Sequence, residues 1–351
     1  MTTDIAQLAA RIEANPLGRI MYGQRELFHS NLLAWFFDVL PGPADAVFAP
    51  LAQPHPDAGT KRYVEREHKK LDIVMHWPAL TPVAIENKVF SLPDADQLDQ
   101  YRGVVEAWSP RPSLVLLSVC PPDFDAREWL YLSHTELAER IDDALPASSD
   151  YNVQTMRKYA QLARDLHALL GAVEVSSDDE PVWLSPELLN QVSSSQTRNA
   201  ILKARAQRVA RMLNEVIPGL EGAADHWFTR GNPLVDALEY TVVDGLQVDL
   251  GWQLQGSQFR RAVVYYEDSV QGRGTDGRAA REALSRKHPE FFILPEALRG
   301  ARGGKKEFNH YAPAFVYVYA NQPTMTIGQL KQAAMEVHAE VVALRKANDL
   351  G

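Results

Sequence analysis

Apolar positions along the chain keep two distinct spacings. From Leu71 to Trp77 and from Val83 to Phe90 they form short dense runs, LDIVMHW and VAIENKVF, joined by a connector from Pro78 to Pro82. Runs of this length bounded by turn residues predict strands. From about Asp94 to Trp108 the spacing becomes helical. Upstream, Ile5, Leu8, Ala9 and Ile12 share one side of a helix over 4–14, and a second helix over 24–40 is apolar around most of its circumference. Residues 41–60, rich in Pro, Ala, Asp and Gly, read as a loop. Tyr63 to His68 reads as a strand, Ser113 to Val119 as a fully buried strand, and Trp129 to Ser133 as another. Leu137, Ile141 and Leu145, then Tyr159, Leu162, Leu166 and Leu169, mark helices over 135–145 and 155–170. This order describes a mixed sheet flanked by helices.

The acidic stretch EVSSDDEP places a boundary, with a core over 1–173, a linker over 174–182 and a C-terminal module over 183–351. The module opens with helical spacing over 186–216. Arg205, Arg208 and Arg211 lie three apart on one flank of it, a solvated face or a ridge able to track phosphates. Asp244-Gly245 between EYTVV and LQVDLGW predicts a tight hairpin, and a turn at Gln255-Gly256-Ser257 extends it to a three-strand meander. A helix over 278–286, strands over 291–294 and 314–319, and a helix over 327–346 follow. RGARGGKK, residues 299–306, reads as a basic loop without phosphate-loop spacing. The fold class is α/β, α+β overall, and no internal repeat is present.

Within the two dense runs sit three charges: Asp72, Glu86 and Lys88. Alternation along a strand sends Glu86 and Lys88 to one face and Ile85, Asn87 and Val89 to the other. A hairpin of the two runs can set Asp72 opposite Glu86 and Lys88. A Glu-x-Lys pair is ordinary on a half-exposed strand. VAIENKV, however, reads as a central strand buried on both faces, where charges need partners or a metal. Gln97 and Tyr101, at i and i+4 on the following helix, share the face next to the strand end.

Asp72, the triplet Glu86-Asn87-Lys88 and Gln97-Leu98-x-x-Tyr101 together resemble the PD-(D/E)xK nuclease superfamily. The closest branch is the one whose third motif reads E-N-K and is followed by Q-L-x-x-Y. The upstream run Glu26-Leu27-Phe28-His29-Ser30-x-x-Leu33-Ala34-Trp35 matches that branch's first-helix motif. The resemblance covers roughly residues 20 to 170, and one departure is Leu71 where the name-giving Pro would stand. It implies a restriction-endonuclease-like core and divalent-metal-dependent hydrolysis of phosphodiester bonds. Mg²⁺, or Mn²⁺, would sit on Asp72, Glu86 and the Asn87 carbonyl, with Glu26 as a further ligand. Lys88 would orient or deprotonate the attacking water, and Gln97 and Tyr101 would hold the site or a phosphate in place. Glu26 reads equally as a first-turn acid favoured by the helix dipole. Glu67 reads as a solvated strand end before a further acidic ligand. His29 and Ser30 read as supporting residues rather than ligands.

Charge qualifies this picture. The net charge is −9, and the first 180 residues carry 16 Lys and Arg against 27 Asp and Glu, the remainder 20 against 18. Basic contacts to a nucleic acid would therefore come mostly from the second half. One cysteine, Cys120, excludes an intrachain disulfide framework and points to the cytosol. No apolar run spans a bilayer, and the first residues lack a signal-peptide plan. The expected partner is nucleic acid, DNA before RNA, in a setting such as bacterial (antiviral) defence or repair, with a homodimer or a regulatory protein partner left open. The alternative is a catalytically weak or silent nuclease-fold module that binds or regulates and is switched on by a partner.

Overall fold

The computed structural model describes residues 4–24, 26–220, 223–229, 231–267, 270, 274–311 and 314–349. The chain divides into two units. Met1–Val173 with Pro186–Ala204 forms the first, and Glu174–Ser185 with Arg205–Gly351 the second.

The first unit opens with α1 (Ile5–Ala14), α2 (Pro16–Gln24), α3 (Glu26–Val39) and α4 (Pro41–Phe48). Asp4 caps α1 by accepting the amides of Ala6 and Gln7, and the helix buries Ile5, Leu8, Ala9 and Ile12, the stripe its spacing predicts. α4 and a 3₁₀ turn at Ala49–Leu51 occupy much of the stretch expected to be a loop. Pro41 and Pro43 fall in the first turn, where their missing N–H groups cost nothing, and Ala44, Val47 and Phe48 are buried. Strands β1 (Tyr63–His68), β2 (Leu71–His76) and β3 (Val83–Lys88) precede α5 (Ala95–Val105), β4 (Ser113–Ser118), β5 (Leu130–Ser133), α6 (His134–Ala144) and α7 (Tyr151–Gly171). After an excursion into the second unit come α8 (Pro186–Asn190) and α9 (Ser195–Val216), and the division between units falls within α9.

The five strands form one mixed sheet in the order β1-β2-β3-β4-β5. β1, β2 and β3 are antiparallel neighbours, while β3, β4 and β5 run parallel. β3 is central and all six of its residues are buried, as its near-continuous apolar run requires. One face carries Ile73, Met75, Ile85, Val115 and Leu117, packed with Leu33 and Phe37 of α3 and with Ile141 and Tyr159 of α6 and α7. The other carries Val74, Ala84, Leu114 and Leu116, packed with Leu98, Tyr101 and Val105 of α5. Fully burying each of these larger aliphatic side chains contributes about 1.5–3 kcal/mol. No single helix among the described residues is long and apolar enough to cross a membrane. The α3–α4 region is apolar enough only as a pair bent by 119°, and its Phe36, Phe37, Val47 and Phe48 belong to the core just described.

The second unit is built on β6 (Ala224–Thr229), β7 (Asn232–Val243), β8 (Leu246–Gln255) and β9 (Gln258–Tyr265), followed by α10 (Thr275–Lys287), β10 (Arg302–Gly303), β11 (Asn309–His310), β12 (Phe315–Asn321) and α11 (Ile327–Asp349). The sheet is antiparallel, in the order β10-β12-β9-β8-β7-β6, with β11 on β12. The expected meander is therefore β7-β8-β9 within a larger sheet. Asp244 and Gly245, with φ of 52° and 79°, make the β7–β8 turn, as a two-residue hairpin demands. Residues 291–294, expected as a strand, instead begin inside a 3₁₀ turn at Pro289–Phe292, where proline starts the turn and Phe291 and Phe292 are buried.

The acidic stretch 174–182 is not a free linker. The carbonyls of Glu180 and Asp178 accept the amides of Ile327 and Gly328 at the start of α11, and Val182 N donates to Met325 O. These are amides that a helix cannot satisfy for itself. Arg205, 1% exposed, donates to the carbonyls of Glu174, Pro181 and Val182 at 2.7, 2.8 and 2.9 Å. Arg208 is also buried and meets the Glu174 carboxylate at 2.5 Å. Arg205 and Arg208 are thus neither a solvated face nor a phosphate ridge, while Arg211 stays part-exposed beside Glu174. They hold the acidic stretch in place, which a run of charges on one helix cannot reveal.

Candidate active site

The β2–β3 ladder runs from Met75↔Val83 through Val74↔Ala84 to Ile73↔Ile85 and stops. Beyond it the Asp72 carboxylate, rather than a β2 carbonyl, accepts the backbone amide of Asn87 at 2.7 Å. The acid expected opposite Glu86 thus stands where the two strands stop pairing.

Alternation then sorts the triplet. Glu86 and Lys88 follow Ala84 onto the α5 side, and Asn87 follows Ile85 onto the α3 side. The Lys88 ammonium lies 2.9 Å from Glu86 Oε1 and donates to Gln97 Oε1 at 2.6 Å. Gln97 Nε2 donates to the Tyr101 hydroxyl at 2.8 Å. Asp94 positions this face of α5 by capping it, its carboxylate accepting the Gln97 amide at 2.7 Å. Glu86, Asn87, Lys88 and Tyr101 are all buried. The Tyr101 phenol is raised by burial first and by the Glu86 charge next. The Gln97 hydrogen bond and Lys88 oppose the rise, and Asp72 adds to it. All five side chains therefore share one locality.

On the α3 side, Asn87 Nδ2 donates to Ser30 Oγ at 3.3 Å, and His29 Nδ1 faces the Tyr159 hydroxyl at 3.3 Å. Both α3 residues are buried. His134, with its ring centroid 5.9 Å from that of His29, is held well below the usual imidazole range by burial first and by His29 and His167 next. Glu26 begins α3, but its side chain lies outside the described residues. Glu67 is exposed, with φ of 51° near the end of edge strand β1.

Ser118 escaped the sequence reading. It is the register partner of Lys88 on β4, its hydroxyl is buried, and it has no protein hydrogen-bond partner among the described residues. The apolar run SLVLLSV in which it lies draws attention to the core, although its place at the strand end beside E-N-K was the available signal.

The donor set suits a hard divalent cation. Asp72 and Glu86 supply carboxylates next to a strand end, and Ser118 adds a polar atom in need of a partner. Among the described residues no group of three or more His, Cys, Asp or Glu side chains is placed to hold a metal. Mg²⁺ needs only one or two carboxylates when waters and substrate phosphate complete its shell. Comparison with known proteins found no match among family models, curated proteins or solved structures.

Proposed function

We propose that the first unit is a divalent-metal-dependent nuclease of the PD-(D/E)xK kind, acting on phosphodiester bonds of nucleic acid, DNA foremost. The observation that carries this reading is the meeting of Asp72, Glu86, Lys88, Gln97 and Tyr101 where the β2–β3 ladder ends. Mg²⁺ or Mn²⁺, held by Asp72, Glu86 and the Asn87 carbonyl with Glu26 as a further ligand, would neutralise phosphate charge and make a bound water more acidic.

The chain's own groups do the rest. Lys88 carries three donors, of which Glu86 and Gln97 take two. Among the described residues nothing takes the third, which is left for the attacking water or a phosphate oxygen, where a fixed ammonium stabilises developing negative charge. Gln97 fixes the ammonium's direction, and Tyr101 fixes Gln97. Asp72 holds the Asn87 amide, which keeps the triplet in register as β2 departs.

The acidic balance of the first 180 residues favours a second reading, a nuclease-fold module that binds or regulates with little catalysis of its own. Incubating plasmid and single-stranded DNA with the full chain in Mg²⁺, Mn²⁺ or EDTA separates the two. Cleavage that requires metal and disappears in Asp72→Asn supports the nuclease. Nucleic-acid binding without cleavage under all three conditions supports the module.

A further inference from the structure

The sheet of the second unit has a polar face as well as a core face. Val235, Leu254, Phe259 and Ala320 form one cross-strand row in the core. The next row on the opposite face is Asp236, Gln253, Arg260 and Tyr319, one residue from each of β7, β8, β9 and β12. Asp236, Gln253 and Arg260 are each only 8% exposed.

Their hydrogen bonds form a chain. Gln253 Nε2 donates to Asp236 Oδ2 at 3.1 Å, and Arg260 Nη1 donates to Gln253 Oε1 at 2.6 Å. Arg260 Nη2 reaches Gln255 Oε1 at 2.7 Å and Gln258 Oε1 at 2.9 Å, and the guanidinium carbon lies 4.9 Å from the centre of the Tyr317 ring. Among the described residues, every oxygen to which Arg260 donates is thus a neutral amide. Among the described residues no carboxylate forms an ion pair with it, whereas buried Arg205 and Arg261 each have one. A buried cation without a counter-ion is costly, and an incoming anion would offset that cost.

Asp236, Gln253, Gln255 and Arg260 line a pocket of about 210 Å³, with Trp227, Thr229 and Tyr311 among its walls. Trp227 and Tyr311 are 54% and 62% exposed, and Trp227 Nε1 is anchored on Asp236 Oδ1 at 3.2 Å. The volume is below that of a drug-sized ligand site. It suits one ring system rather than several. Exposed aromatic faces stack any base, amides and a carboxylate match base edges, and arginine takes phosphate.

We infer that this pocket binds a nucleotide unit, its base on Trp227 and Tyr311 and its phosphate on Arg260. The ligand is either a free nucleotide or one residue of a single strand. This site is independent of the nuclease reading, because every group it uses belongs to the second unit.

The test is calorimetric titration of the full chain in EDTA with adenosine and thymidine monophosphates, a single-stranded oligonucleotide, and an abasic oligonucleotide of equal length. The expected result is saturable binding to a base-bearing ligand, weakened about tenfold or more by Trp227→Ala, kept by Trp227→Phe, and weakened by Arg260→Gln. Binding of the monophosphates assigns a free-nucleotide site. Base-dependent binding of the oligonucleotide alone assigns a strand site. Absence of binding, equal binding of the abasic strand, or wild-type affinity in folded Trp227→Ala and Arg260→Gln overturns the inference.

Discussion

The Lys88 ammonium donates to the side-chain oxygen of Gln97 at 2.6 Å, tying the end of β3 to the first turn of α5. On its other side it pairs with Glu86 at 2.9 Å, and both members of that pair are buried. Removing one partner of a buried pair leaves the other charge uncompensated, at a cost of about 3–5 kcal/mol. Lys88→Met alone is therefore expected to lower the unfolding free energy by roughly that much. Glu86→Gln combined with Lys88→Met should recover most of it. Urea denaturation of both single variants and the double variant measures the coupling; additive losses would show that the pair is not coupled.

Gln97 is expected to act through Lys88 rather than on substrate. Gln97→Ala removes one charged and one neutral hydrogen bond at the edge of the site, and should cost about 1–3 kcal/mol of stability. On the nuclease reading, cleavage falls about 10–100-fold, as when the support of a reacting group is lost, with KM little changed. Steady-state kinetics on an oligonucleotide substrate checks the split. A rise in KM with kcat intact would make Gln97 a substrate contact instead.

Arg205 is expected to be the main fastening of residues 174–182. Arg205→Ala strands three carbonyls that now accept from one guanidinium. That of Val182 belongs to a buried residue while Glu174 and Pro181 are exposed, and an unsatisfied buried acceptor costs about 1–3 kcal/mol. A loss of about 1–3 kcal/mol follows. Arg205→Lys should recover less than half, because an ammonium lacks the planar fork. Hydrogen exchange at the start of α11 reads the effect directly, since the amides of Ile327 and Gly328 bond to this segment.

Asp236 sets a pH dependence in the second unit. Burial pushes its carboxyl up to about 6, against hydrogen bonds from Gln253 and Trp227 that favour the ionised form. Between about pH 4 and 6 the folded state keeps a proton that the unfolded chain has lost, so stability falls as pH rises through this window and is level above it. The drop is on the order of 3 kcal/mol. Hydrogen exchange of β7–β9 peptides, corrected for intrinsic rate, should show weaker protection at pH 7 than at pH 4.5. Asp236→Asn should remove that difference, and a difference that survived would assign it to another group. In the first unit, His134 works in the opposite direction: its depressed pKa withdraws stability as pH falls below about 6.5.

Much of the first unit could be read from alternation and spacing. Val83 to Lys88 is continuous enough in apolar residues to be a central strand, and its period of two alone sends Glu86 and Lys88 to one side and Asn87 to the other. The i, i+4 pair Gln97 and Tyr101 faces that side because α5 covers it. Composition misled where context decides. Pro41, Gly42 and Pro43 suggest a loop, yet they form the first turn of a helix whose later residues are buried. Arg205 and Arg208 suggest a surface because a single helix does not disclose that a neighbouring segment covers it. The polar row of the second sheet was present in the alternation of Gln253, Gln255, Gln258 and Arg260. Its meaning depends on cross-strand register, which brings Asp236 to one end and Tyr319 to the other.

The most direct test of the central claim compares wild type with Lys88→Ala in metal-dependent cleavage of plasmid and single-stranded DNA, with folding of the variant verified by circular dichroism. The account predicts cutting in Mg²⁺ or Mn²⁺, none in EDTA, and loss of cutting in the folded variant. Equal activity in both proteins, or no cutting by wild type under any of these conditions, would contradict it.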